Sequence, residues 1–166
     1  MRSIRVWLQA PIALVPAVVA LGASCAFGTP ATFSLSNVSV DSTYACPPGA
    51  NNAAYDLHAT IDAHNGTSNL VTIESVGAVM ILAAVKGAWL EHVGDRYDAG
   101  RVAFTPSTVG AGTDGQLKVT VPSACTNQAR ATRASDYGEY SVEFTVTTSA
   151  GKFMVQSRNR HRIAAA

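Results

Sequence analysis

Three stretches of this 166-residue chain alternate apolar and polar side chains with a period of two, and such a stretch buries one surface only if it is an extended strand. Tyr55, Leu57, Ala59, Ile61 and Ala63 share one face, while Asp56, His58, Thr60, Asp62 and His64 share the other. Leu117, Val119 and Val121 alternate with Gln116, Lys118 and Thr120 until Pro122, where the strand is expected to end. Tyr140, Val142, Phe144 and Val146 repeat the pattern, and Phe153 and Val155 open a last strand after the Ser149-Ala150-Gly151 turn. Adding Phe33–Val40 and Arg101–Thr105 gives about seven strands. The run Val76–Leu90 is apolar almost throughout; it reads as a buried strand or a short helix, with its clustered Val, Ile and Met favouring strand. Asn65-Gly66 is a strong hairpin signal before Val71 and Ile73. The expected fold class is therefore all-β, an antiparallel sandwich.

The start of the chain follows a different logic. Arg2 and Arg5 precede an uncharged, mostly apolar run from Val6 to Ala23, and then come Gly22, Ala23, Ser24, Cys25 and Ala26. This order of basic end, apolar stretch and small residues is that of a secretory signal peptide. Residues 1–26 are the expected signal segment (an apolar helix if uncleaved), and 27–166 a single domain. Ser24-Cys25-Ala26 fits a small-x-small cleavage rule. Leu21-Gly22-Ala23-Ser24-Cys25 alternatively resembles a bacterial lipobox, in which Cys25 becomes a lipid-modified first residue, although Gly22 stands where a large aliphatic belongs. On either path Cys25 is withdrawn from the folded domain.

That leaves Cys46 and Cys125, and an even pair outside the cytosol reads as a disulfide. If the strands run alternately up and down, the connections holding the two cysteines lie at one pole, within bridging reach. The bond would staple two loops there and hold Cys46-Pro47-Pro48-Gly49 as a rigid turn. Losing the leader takes the formal net charge from +1 to −1, a poor match to nucleic acid, whose binding runs on phosphate neutralisation.

Asp136-Tyr137-Gly138-Glu139-Tyr140-Ser141-Val142 resembles the immunoglobulin-superfamily motif Asp-x-Gly-x-Tyr-x-Cys, with Val142 in place of the cysteine. Gly100-Arg101-Val102-Ala103-Phe104 is similar to the opening of that family's fourth strand. The resemblance implies an immunoglobulin-like sandwich, a Tyr140 that bonds backbone at a corner, and an Arg101–Asp136 ion pair. It also implies a core tryptophan, and Trp89 does not stand where that residue should.

Little in the chain points to chemistry. Asp62 and His64 stand about 6.6 Å apart on one strand face and could share a metal, but His58 is too distant to join and two ligands make no zinc site. Asp95 and Asp98 lack a calcium-loop pattern. There is no nucleophile elbow, metalloprotease helix motif or phosphate loop, so no catalytic residue, metal or cofactor is expected. Arg158, Arg160 and Arg162 align by period two on the last strand and form the best lead, a stripe for a polyanion, against the alternative that they protect an edge. Asn37-Val38-Ser39 and Asn65-Gly66-Thr67 are glycosylation sequons, the second better explained as a turn. The sequence thus suggests a non-catalytic exported module, secreted, periplasmic or at the cell surface. Its unknown protein or polysaccharide partner is expected there, with membrane contact only through the leader or a lipid on Cys25. The alternative is an accessory or inhibitor-like partner of another exported protein, working through Val76–Leu90 or the disulfide pole.

Overall fold

A computed structural model describes residues 32–127 and 136–165. The leader and Cys25 lie outside the described residues. The described residues form ten strands in order: β1 (Phe33–Val40), β2 (Thr43–Cys46), β3 (Ala53–Asn65), β4 (Val71–Lys86), β5 (Arg96–Thr105), β6 (Thr108–Val109), β7 (Thr113–Cys125), β8 (Tyr137–Thr148), β9 (Gly151–Gln156) and β10 (His161–Ala165). Among the described residues no helix is long and apolar enough to cross a membrane.

The strands form two layers in the order β1-β3-β7-β5 and β4-β8-β10-β2, and β5 hydrogen-bonds to both β7 and β4. Counting β2 as the continuation of the first strand, and β9 with β10 as an interrupted seventh, the layers hold strands one, two, five, four and strands three, six, seven. That is the immunoglobulin-like arrangement. The first strand changes layer at Asp41-Ser42, so β2 runs parallel to β10 while β1 runs antiparallel to β3. The count exceeds seven because the first and last strands each break once and because β6 adds a two-residue bridge to β4.

The alternating residues meet between the layers. Leu57, Ile61, Leu117, Val121, Val142, Phe144 and Val146 are fully buried and Val119 nearly so, and each such side chain contributes about 1.5–3 kcal/mol of transfer free energy. Val76–Leu90 is strand as far as Lys86, with Val76, Ala78, Met80 and Leu82 inward. Two local expectations are corrected. Asn65-Gly66 closes no hairpin, since β3 pairs with β1 and β7 whereas β4 pairs with β5, β6 and β8. The turn instead carries the chain across from one layer to the other. Pro122 does not end its strand, because β7 continues to Cys125 opposite Ala53. Beyond Thr120 β7 is paired on the β3 side only, where a missing N–H is tolerated.

Candidate functional site at the disulfide pole

Cys46 and Cys125 are bonded, with Cα atoms 6.0 Å apart. Each is the last residue of its strand, β2 in one layer and β7 in the other, and both are buried. The bridge therefore ties the two layers at one pole rather than two loops. Pro47–Ala50 turns tightly beside it, with Ala50 N–H donating to the Pro47 carbonyl.

The same pole holds a cleft of about 530 Å³, lined by the disulfide, Trp89, Glu91, Tyr97, Asn127 and Tyr140 among others. Trp89 and Glu91 come from the connection between β4 and β5. Gly87 starts it with a left-handed φ of 75°, and a Cβ there would collide with the Asp136 carboxylate, so the turn demands glycine. Asp136 is buried and accepts from the Ala88 N–H at 3.3 Å. Gly138 lets the indole of Trp89 close on β8, since a Cβ would stand 2.6 Å from the ring. The Trp89 Nε1–H lies 3.3 Å from the Tyr140 hydroxyl and 3.2 Å from Glu91 Oε2, and Tyr140 O–H donates to that same carboxylate oxygen in a short bond. Burial raises the Tyr140 pKa far above its ordinary value, and the carboxylate it serves adds to the rise, so it remains a donor.

Between β2 and β3, Tyr44 and Tyr55 stack with ring centroids 3.9 Å apart, and Tyr55 O–H lies 3.0 Å from His161 Nε2. His161 Nδ1 sits 2.7 Å from the Asp41 carbonyl, which can only accept, so the ring is the Nδ1–H tautomer and Tyr55 donates to Nε2. Burial lowers the His161 pKa, partly offset by that carbonyl, and pushes Tyr55 up to about 12.

The residues singled out from sequence fall elsewhere or in other roles. Tyr140 bonds a carboxylate and an indole, not backbone, so it makes no tyrosine corner. Arg101 does not meet Asp136: on β4 it pairs opposite Gly77 while Tyr137 pairs opposite Lys86, nine residues or about 30 Å away. β5 begins at Arg96, and it is Arg96 that pairs across the outer face, 2.9 Å from Glu143. The arginines do not form one strand stripe either. Arg158 and Arg160 precede β10, which lies inside its sheet rather than at an edge. Arg160 and Arg162 share Glu139, Arg162 lies 4.2 Å over the Tyr137 ring, and Arg158 donates to Asn37. His58, His64 and Asp62 each have separate partners in Asp41, Asp114 and Gln116, and Asp95 and Asp98 accept from the nearby His92 and Gly100 N–H groups. Among the described residues no three such groups could hold a metal. Asn65, the sequon residue, is fully buried with its amide donating to the carbonyls of Asn69, Val109 and Gly110.

No protein-family model and no curated protein matches the chain. Solved structures give distant likenesses. The Northeast Structural Genomics Consortium target SoR45 is 12% identical, with 81% of this chain and 87% of that chain covered and a TM-score of 0.42. The PapD-like domain 7 of human CEP192 is 12% identical over 96% and 97% with a TM-score of 0.33, and AggA, the major fimbrial subunit of Escherichia coli, 8% over 81% and 95% with 0.32. It is the order of the strands in the two layers that is immunoglobulin-like.

Proposed function

We propose that the chain is an exported, non-catalytic immunoglobulin-like module that engages a protein partner outside the cytosol through its disulfide pole. One observation carries the reading. The connection that builds the cleft also exposes large apolar side chains, Leu90 at 54% and Val93 at 60%, with Tyr97 beside them at 45%. Large apolar groups gathered on one loop are the ordinary content of a contact surface. The cysteine bridge and the leader-like start support a location outside the reducing cytosol. The accessory-partner reading is thereby favoured over a polyanion reader, because two of the three arginines already share a carboxylate.

The test has two parts. Intact mass of the protein from its own host should show the leader gone and two hydrogens lost at the cysteines; a full-length dithiol form defeats the export reading. Labelled protein should adhere to the host's envelope fraction, and Leu90→Asp with Val93→Asp should weaken adhesion about tenfold without lowering the unfolding temperature. Undiminished adhesion by that variant defeats the pole as the contact surface.

A further inference from the structure

The cleft at the pole has a definite charge character. Among the described lining residues Glu91 is the only ionised side chain. No ion pair of Glu91 occurs among the described residues, and its two donors, Tyr140 O–H and Trp89 N–H, are both neutral. Both serve Oε2, so among the described residues Oε1 accepts nothing. Trp89, Tyr97 and Tyr140 bring aromatic rings to the same cleft. A carboxylate that meets no cation among the described residues, set among aromatic rings, is the composition that attracts a cationic nitrogen.

Resting on the reading that this pole meets a partner, we infer that the cleft receives a lysine ammonium from that partner. The single open carboxylate oxygen decides between cations. A guanidinium gains most when it meets a carboxylate as a fork across both oxygens, and one of these is already taken by two donors. An ammonium is a compact point charge that gains its attraction from a single carboxylate oxygen, with its other donors left to water and the ring faces around it. The apolar stem of the lysine would lie along Leu90 and Ile163, both part of the lining.

The inference is tested on the full chain carrying Trp7→Phe, which leaves Trp89 as its only tryptophan. Trp89 fluorescence is titrated with Nα-acetyl-lysine amide, the arginine counterpart, choline, and the uncharged norleucine counterpart. Lysine amide should bind in the millimolar range and about tenfold more tightly than norleucine amide. Glu91→Gln, which keeps an acceptor for Tyr140, should weaken lysine binding about tenfold while leaving the unfolding temperature unchanged. Equal binding of norleucine, no response to lysine, tighter binding of arginine or choline, or an unaffected Glu91→Gln protein each overturns the inference. If lysine amide gives no response while Leu90→Asp with Val93→Asp still weakens envelope adhesion, the ammonium site falls and the contact surface stands. If adhesion survives that variant while lysine amide binds, the contact surface falls and the site is one for a free amine.

Discussion

The two ends of the sandwich each carry a knot of polar side chains, and the knots are built on opposite plans. At one end Asn65 is fully buried; its amide serves three carbonyls, and its Oδ1 accepts from the Thr67 N–H and hydroxyl. Every polar atom is answered by the chain itself, chiefly by backbone, and the knot holds the crossing from β3 to β4. At the other end Glu91 is exposed, charged, and answered on one oxygen only. A buried polar group left unmatched costs about 1–3 kcal/mol, so a closed knot is bound up with stability, whereas an open and solvated one leaves interaction capacity for something else.

Four experiments break or sharpen this contrast. The largest effect is expected from Cys46→Ala with Cys125→Ala. The bond closes a separation of 79 residues, for which loop-closure entropy gives about 4.5 kcal/mol as an upper figure. Chemical denaturation should show a loss approaching that size, and amide exchange should rise in β2 and late β7 but not around Asn65. Asn65→Ala should cost about 3 kcal/mol, because three carbonyls lose their donor at once; a cost under about 0.5 kcal/mol would show that the knot is not structural.

An intermediate case is His161, buried like Asn65 but titratable. Its pKa is lowered in the fold, chiefly by burial, whereas the unfolded chain binds the proton near pH 6.5. The stability that this site contributes is therefore complete above about pH 6.5. It is lost as pH falls from there toward the folded pKa, by at most about 1.4 kcal/mol per pH unit. Urea midpoints between pH 7.5 and 5.5 should fall accordingly, and His161→Gln should flatten the slope. Smallest is Glu91→Gln, expected to change stability by less than about 0.5 kcal/mol. A large loss there would mean that the open end is in fact a structural knot like the closed one.

How much of this was legible in sequence depended on whether a feature is local. Period two is a property of a single strand, so Leu57, Val119, Val142 and Phe144 were placed inward correctly, and the two cysteines were paired by elimination and a count of strand directions. Asn65-Gly66 misled because a turn motif says that the chain bends, not whether its two arms pair. Arg101 misled because a short motif does not fix register: β4 sets Arg101 opposite Gly77 and Tyr137 opposite Lys86, nine residues or about 30 Å apart. The candidate site was missed for a similar reason. Trp89, Glu91 and Tyr140 lie 51 residues apart at their widest and meet only once β4 and β8 are in register. One signal was available: Gly87 and Gly138, small residues at the ends of apolar strands, mark where an indole and a carboxylate need room.

The first strand enters the sandwich beside Asn65, since Phe33 pairs with it, whereas β10 finishes with Ala165 beside Cys46. Entry and exit are thus separated by the length of β3, about 40 Å for its 13 residues. Any tether acting through residues before Thr32, whether a retained leader or a lipid, would hold the Asn65 end toward the membrane and present the cleft to the medium. A tag fused after Ala165, by contrast, would emerge at the rim of the cleft, so assays of its occupancy call for a label placed at the Asn65 end.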